Sequence, residues 1–317
     1  MRPVLVSGVG AVIGYGIVRS LKQRRPQIHV IGTDIHDHAV GQAWCDVFIK
    51  CPPVIAEHFP SFLLELIRDH EIGCVFSGFP QEIPFLASLQ AELEDDNARV
   101  VLNSASSLAL GTDKWELAKA VHLEPLAIET RLVTSQVCFD DLAGALGCPF
   151  VVKPRAGSAS RGLAIISGKD DWRHVIRDGS LIAQTIIGTA DDEYTAAIHG
   201  DGEGAFTASI VMRRWLGREG NTVRAEVVAS APFLDAFRSV CELARPIGPT
   251  NLQFRLDRGI PYLLEINPRI SSSTYMRSLC GYNEALMAYD HYVNGALPEQ
   301  PVVQPRRLIR YCEDRVW

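Results

Sequence analysis

The sequence has no long hydrophobic run and no excess of positive charge. No window of about 20 uninterrupted apolar residues, the length of a membrane-spanning helix, occurs in it. Its first residues, MRPVLVSGVGAVIGYG, lack the apolar segment and the cleavage site of a signal peptide. The net charge of −6 argues against a dedicated surface for nucleic acid or anionic membrane, because phosphate binding requires an excess of lysine and arginine. We therefore expect a cytoplasmic protein that binds neither.

The sequence also lacks paired cysteines. Its eight cysteines contain no C-x-x-C pair, so neither a disulfide framework nor a zinc cluster is indicated. The nine histidines are equally dispersed. The stretch DIHDH at 34–38 contains possible metal ligands, but a solvated loop is the preferred interpretation.

The first 104 residues alternate between strand and helix patterns. Apolar strands are predicted near 3–9, 28–35, 45–53, 73–78 and 98–103, with helices at 17–24, 59–70 and 82–93. This alternation predicts a small doubly wound α/β domain over 1–104.

The glycine-rich start approaches a dinucleotide-binding fingerprint. Gly8, Gly10 and Gly14 follow the first strand, and Asp34 ends the second. The spacing fails, because the third glycine of G-x-G-x-x-G would stand at position 13, which is Ile13. Nicotinamide binding is therefore the weaker interpretation of this segment.

After residue 104 the pattern becomes that of an α+β protein. Helix signals near the start give way to the strand PFVVKP, a loop and the strand GLAIIS. Strands of an antiparallel sheet follow, then a helix at 232–245 and a hairpin at 250–267. The final segment, PRRLIRYCEDRVW, is either a terminal strand or a subunit contact.

The last strand of the hairpin, YLLEIN, carries unusual polarity. Strand alternation predicts Leu264 and Ile266 on a covered face, and Glu265, Asn267 and Arg269 on the opposite face. Burying such groups without partners is costly. We therefore expect these polar side chains to have a shared partner.

The hairpin register supplies further oxygen atoms. A five-residue turn at 257–261 places Gln253 directly opposite Glu265, with Asn267 on the same face. Three such side chains suit Mg²⁺, which takes its remaining ligands from phosphates and water. The alternative is a polar outer face in which Arg269 pairs with Glu265.

A second polar segment is PFVVKPRAGSASRGLAII, at 149–166. Lys153 ends a buried strand, and the small residues at 156–162 let backbone N–H groups approach a polyphosphate. The segment is not a Walker loop, because G-x-x-x-x-G-K-[ST] is absent. The alternative is an ordinary loop with solvated Lys153, Arg155 and Arg161.

Four motifs occur in the order found in ATP-grasp enzymes. They are Lys114 in GTDKWELAKA, Lys153 with its small-residue loop, AQTIIGTADDEYT, and NLQF followed by EINPRIS. The last pair resembles most closely the synthetase domains of the carbamoyl-phosphate synthetase large subunit and the related amino-acid ligases. The resemblance implies a Rossmann-like pre-ATP-grasp domain at 1–104. A two-lobed ATP-grasp fold follows, with a small lobe at 105–185 and a large lobe at 186–317.

The resemblance also implies a nucleotide-binding set. In such a set the lysines contact ATP phosphates, the loop closes over them, the strand at 184–187 presents backbone groups to adenine, and an acid binds the ribose. The matching residues are Lys114, Lys153, Ser158, Ala159, Ser160, Gln184, Thr185, Ile187, Glu193 and Asn267.

The metal and catalytic positions follow from the same resemblance. The family's magnesium positions match Gln253, Glu265 and Asn267, with Mn²⁺ as an alternative ion. Gln253 stands where many relatives have a carboxylate, which lowers the negative charge of the site. The catalytic candidates are Lys153, Arg269, which would stabilise the transferred phosphoryl group or the acyl intermediate, and Arg213, which would contact the γ-phosphate or a substrate carboxylate. A surface salt bridge is the alternative for Arg213.

The implied reaction is an ATP- and magnesium-dependent ligation. ATP phosphorylates a small carboxylate, such as an amino acid, and an amine attacks the acyl phosphate to give an amide, ADP and phosphate. Two alternatives stay open: a carbamoyl-phosphate-like or other phosphoryl transfer, and a non-catalytic, nucleotide-binding regulatory protein. A homodimer is the default assembly.

Overall fold

A computed structural model describes residues 2–157, 162–218 and 220–314. Within these ranges the strands are β1 (Val4–Val6), β2 (Val30–Asp34), β3 (Val47–Lys50), β4 (Cys74–Phe76), β5 (Arg99–Val100), β6 (Thr130–Val133), β7 (Phe150–Pro154), β8 (Ala164–Ile166), β9 (Leu181–Thr185), β10 (Glu193–Asp201), β11 (Phe206–Leu216), β12 (Thr222–Val228), β13 (Ile247–Asp257), β14 (Ile260–Asn267) and β15 (Arg307–Ile309). The α-helices there are α1 (Val12–Arg24), α2 (Phe59–Asp69), α3 (Ile83–Ser88), α4 (Gln90–Asp95), α5 (Ala105–Thr112), α6 (Lys114–Ala120), α7 (Phe139–Leu146), α8 (Lys169–Trp172), α9 (Leu234–Ala244), α10 (Thr274–Leu279) and α11 (Glu284–Asn294). The predicted loop residues Ser158, Ala159 and Ser160 lie outside the described residues.

The first five strands form a parallel sheet in the order β3-β2-β1-β4-β5. Apolar clusters cover both of its faces, one built on α1 and the other on α2 to α4. This arrangement confirms the predicted doubly wound α/β class. Two helix predictions were inaccurate: α1 begins at Val12 rather than at 17, and the helix predicted at 82–93 is divided at Leu89 into α3 and α4.

The glycine-rich start of α1 permits very close packing. A Cβ atom on Gly14 would lie 2.2 Å from the carbonyl oxygen of Gly8, and one on Gly78 would lie 2.5 Å from the Cα atom of Gly14. No larger side chain fits at such a distance. The packing of α1 against the loop after β4 therefore accounts for Gly14 without a dinucleotide.

The next sheet contains four antiparallel strands in the order β6-β9-β7-β8. Helix α7 covers one face, where Leu142 and Leu146 pack with Phe150 and Trp172. Strand β6 was not predicted from the sequence. Its residues pair with β9, including Thr130 with Gln184.

The third sheet is antiparallel, in the order β14-β13-β10-β11-β12-β15. Helix α9 packs on one face through Phe237 and Val240, while α10 packs on the other through Met276. Strand β15 pairs with β12, so the final segment contributes a terminal strand, which is one of the two alternatives considered for it. No helix in the described parts of the chain is long and apolar enough to cross a membrane.

The hairpin of β13 and β14 corrects one prediction. Asp257 pairs with Ile260, so the turn is two residues long rather than five. A bulge then restores the register, and Gln253 lies opposite Glu265 as predicted. The bulge also changes which side chains are covered: Leu263 is buried, whereas Leu264 lines the same cleft as Glu265.

The segment after β14 joins the third sheet to the first domain. Ile270, Ala288 and Tyr289 belong to the same apolar cluster as Ile13 and Ile17 of α1. The metal motif on β14 is therefore followed directly by a contact with the first domain.

Candidate active site

A cleft of about 250 Å³ lies between the second and third sheets. It contains predicted residues from both nucleotide and metal sets: Lys114, Lys153, Gln184, Thr185, Ile187, Glu193, Gln253 and Glu265. The sequence motifs that are far apart along the chain thus meet in one place.

Two lysines lie at the small-lobe side of the cleft. Lys153 is the next-to-last residue of β7, and Lys114 is the first residue of α6. The Nζ atom of Lys114 donates a hydrogen bond to the carbonyl oxygen of Gly157 at 2.8 Å. Burial and the charge of Lys114 lower the pKa of Lys153 to about 8, although Glu265 opposes this shift. A bound polyphosphate would favour the charged form of Lys153.

The inner end of the cleft is suited to a flat ring. The side chain of Gln184 donates to the Thr130 hydroxyl at 2.8 Å, which holds it in the small lobe. Val151, Ile165 and Leu264 supply apolar surface at this end. Apolar walls with polar backbone groups at one edge are typical of nucleotide-base sites.

Two arginines outside the set of predicted site residues hold Glu193. Arg214 donates to one carboxylate oxygen of Glu193 at 2.7 Å, and Arg255 donates to the other at 3.3 Å. Arg214 also donates to the amide oxygen of Gln253 at 2.8 Å. These contacts set the positions of both guanidinium groups in the cleft, and the ribose role of Glu193 stays a prediction.

The structure places Arg213 outside this cleft. Its Nε atom donates to the carbonyl oxygen of Asp191 at 2.7 Å, and its guanidinium lies 5.1 Å from the centroid of the Trp215 ring. Adjacent residues of a strand face opposite sides of the sheet, so Arg214 faces the cleft where Arg213 does not. The predicted phosphate or carboxylate contact of Arg213 stays untested, and of these two arginines it is Arg214 that lines the cleft.

The three predicted metal-binding residues lie together at the large-lobe side. Asn267 donates to Glu265 at 2.6 Å, and Arg269 donates to the amide oxygen of Asn267 at 2.9 Å. Arg269 thus contacts Asn267 rather than pairing with Glu265. One carboxylate and two amide oxygens, the latter of Gln253 and Asn267, fit a hard cation that takes further ligands from phosphates.

A buried hydrogen-bond network around Arg277 lies next to the predicted metal-binding residues. It was not predicted from the sequence. Arg277 is 0% exposed and donates to Glu284 at 3.1 Å and to Ser271 at 2.9 Å. Its other terminal nitrogen donates to Thr195 on β10 and to Asn251 on β13. The network therefore ties the loop after the metal motif to two strands of the third sheet.

Three comparisons place this architecture among known proteins. Residues 190–314 match a family model described as "ATP-grasp in the biosynthetic pathway with Ter operon". A search of curated protein sequences finds no match to this chain. Solved structures, in contrast, match over almost its whole length.

The similar structures include an N5-carboxyaminoimidazole synthetase from Staphylococcus aureus complexed with ADP, with a TM-score of 0.69 and 16% identity over 95% of this chain and 80% of that one. A biotin carboxylase from Campylobacter jejuni has a TM-score of 0.73 and 15% identity over 96% and 74% of the two chains. An L-amino acid ligase from Bacillus licheniformis has a TM-score of 0.66 and 14% identity over 92% and 74%. The likeness to these solved structures confirms the predicted fold class, and the family model covers the C-terminal part of the chain alone.

Proposed function

We propose that this protein is an ATP- and Mg²⁺-dependent carboxylate–amine ligase that acts through an acyl phosphate on an amino acid or a similar small carboxylate. One observation carries the proposal: lysines on the side of the second sheet and arginines of the third sheet line a single cleft together with oxygen ligands. The cations are Lys114, Lys153, Arg214 and Arg255. The oxygen ligands belong to Glu265 and Gln253.

This arrangement suits phosphoryl transfer, which depends mainly on positioning and charge neutralisation. Lys114 and Lys153 would hold the phosphates of ATP. Glu265, with Gln253 and Asn267, would hold Mg²⁺, which when bound would neutralise charge on the phosphates. Arg269, hydrogen-bonded to Asn267, would stabilise charge on the carboxylate being activated.

The second half of the reaction forms the amide. The amine nitrogen forms a C–N bond to the acyl carbon, the C–O bond to phosphate breaks with its electron pair on phosphate, and the nitrogen loses a proton. Two similar structures support the cosubstrates: the N5-carboxyaminoimidazole synthetase contains ADP, and a 2-oxoglutarate carboxylase biotin carboxylase domain dimer from Hydrogenobacter thermophilus contains MgADP. A homodimer stays our prediction for this chain, to be measured by light scattering.

The test is a screen of acid and amine pairs with Mg-ATP, scored by ADP release and by the mass of the condensed product. Glu265→Gln and Lys153→Ala each remove a group aimed at the transferred phosphate, and we expect each to lower turnover by about 10²–10³-fold. Exposed residues provide matched controls, Glu203→Gln and Lys169→Ala. Both controls should retain full turnover.

The same screen separates the alternatives. ADP release that requires both an acid and an amine, with an amide product, supports the ligase. Nucleotide binding without turnover for any pair would favour the regulatory alternative, and ADP release that requires bicarbonate or ammonia would favour the carbamoyl-phosphate-like reaction.

A further inference from the structure

The first domain contains a second, larger cavity that the proposed chemistry does not use. It has a volume of about 710 Å³, within the range of small-molecule sites. It lies where β1, β2 and β3 end, between Gly8, Asp34 and Cys51. The carboxyl ends of parallel strands are the usual position for ligands in open α/β sheets.

The walls of this cavity are mainly apolar. They include Ile35, Val40, Val54, Ile55 and Phe79. Several of these side chains face solvent, among them Ile55 at 93% exposure and Phe79 at 41%. Clustered apolar side chains around a concave surface indicate a ligand with an apolar body.

The cavity is lined by two carboxyl groups and by the imidazole rings of His36 and His38. Among the described residues that line it, Asp34 and Glu82 carry carboxyl groups and no lysine or arginine is present. Asp34 is held in place, because its two oxygens accept from the backbone N–H groups of Gly10 at 2.8 Å and His36 at 3.0 Å. Each oxygen keeps a second lone pair for a ligand. An ammonium group has a carboxylate partner here, whereas an anion has only the imidazoles of His36 and His38 among the lining side chains that can carry positive charge.

Hydrogen bonds join the cavity wall to the loop after β4. Glu82 accepts hydrogen bonds from Ser7 and from Ser77, the latter at 3.1 Å. Ser77 in turn lines a small recess together with Arg269. Glu82 of the cavity is thus linked, through Ser77, to a recess that Arg269 also lines.

From these observations we propose that the cavity binds the amine substrate, and that this substrate is an apolar primary amine without a carboxylate. The inference rests on the proposed ligase function. It divides the two substrates by charge: the acid goes to the cation-lined cleft, and the amine goes to the apolar, acidic cavity. The ammonium group lies at Asp34, and the apolar body lies against Val54 and Phe79.

The test is calorimetric titration of the full chain with three probes of similar shape: 2-phenylethylamine, 2-phenylethanol and phenylacetate. We expect the amine to bind at least about tenfold more tightly than the alcohol, and phenylacetate to bind least. Asp34→Asn should abolish the preference for the amine over the alcohol. Equal affinity for amine and alcohol, or tighter binding of phenylacetate, would overturn the inference.

The exposed residue Ile55 provides a variant that leaves the fold intact. Ile55→Lys places a positive charge at the cavity and should weaken amine binding about tenfold, whereas Ile55→Glu should not weaken it. Unchanged amine affinity in Ile55→Lys would contradict the proposed position. Mg-ATP is titrated separately into each variant: intact Mg-ATP binding with no amine binding overturns only this inference, and amine binding without Mg-ATP binding overturns only the ligase proposal.

Discussion

The charge of Lys153 should control nucleotide affinity near neutral pH. Burial and the neighbouring Lys114 lower its pKa to about 8 in the free protein. The protonated side chain attracts the phosphates and the neutral side chain does not, so affinity is present below this pKa and falls as the pH rises through it. An ordinary lysine, with a pKa of about 10.4, would stay charged over the same range.

The size of the effect follows from the position of this pKa. The neutral fraction of Lys153 rises from about a tenth at pH 7 to about nine-tenths at pH 9. If bound phosphates return the pKa to its ordinary range, the dissociation constant of Mg-ATP increases about tenfold between these two pH values. The change in charge on the γ-phosphate is complete near pH 7 and contributes little above it.

The assay is titration with a fluorescent ATP analogue at half-unit intervals from pH 7 to pH 9, in constant salt and magnesium. Lys153→Arg is the matched control, because a guanidinium stays charged throughout. We expect its affinity to change less than twofold. Equal slopes for the original protein and Lys153→Arg would refute the reasoning, since another group would then be responsible for the pH dependence.

Three further predictions concern residues that the structure brings into view. Arg277→Met leaves Glu284 buried without its charged partner, so the free energy of unfolding in urea should fall by about 3–5 kcal/mol. The double variant with Glu284→Gln should recover most of this stability, and additive losses in the double variant would contradict the prediction. Gly14→Ala introduces a Cβ atom 2.2 Å from a carbonyl oxygen and should lower the free energy of unfolding by at least about 1–3 kcal/mol, and an unchanged value would show that α1 can shift. Arg214→Ala should weaken binding of the ATP analogue about tenfold and Arg213→Ala less than twofold, and the reverse order would support the original prediction for Arg213.

The sequence was sufficient for the fold class and for the main members of the cleft. Strand and helix periodicity identified the doubly wound domain, and the ordered motifs indicated which distant residues would meet. In the hairpin, the predicted residue pair was correct but the predicted turn was wrong. Gln253 and Glu265 do face each other, but through a two-residue turn and a bulge rather than a five-residue turn. Turn chemistry alone does not reveal a bulge.

The choice between Arg213 and Arg214 required the structure. Strand β11 is covered on both faces, with Val211 packed against α9 and Met212 packed against α10. Because both faces of this strand carry apolar residues, the alternation of polar and apolar side chains does not show which face borders the cleft. Arg214 lies on the same face of β11 as the buried residues Ile210 and Met212. The sequence does not show that this is the face that borders the cleft.

Arg277 illustrates a limit of another kind. It lies in the short segment TYMRSL, and nothing local indicates that a charged side chain there is fully buried. Its partners Thr195 and Asn251 come from strands far away in the chain. Buried charges are stabilised by tertiary partners, so their positions follow from the fold and not from neighbouring residues.

The bulge beside Gln253 has a consequence for how this protein can change over evolutionary time. It lies between the turn of the hairpin and the proposed magnesium ligands Gln253 and Glu265. A one-residue difference in turn length can therefore be offset by gain or loss of the bulge while these two residues stay paired. Relatives with turns of different lengths can therefore keep the same metal ligands. An alignment built outward from the turn would place Glu265 one residue away from its true counterpart, whereas one built from EINPR would not.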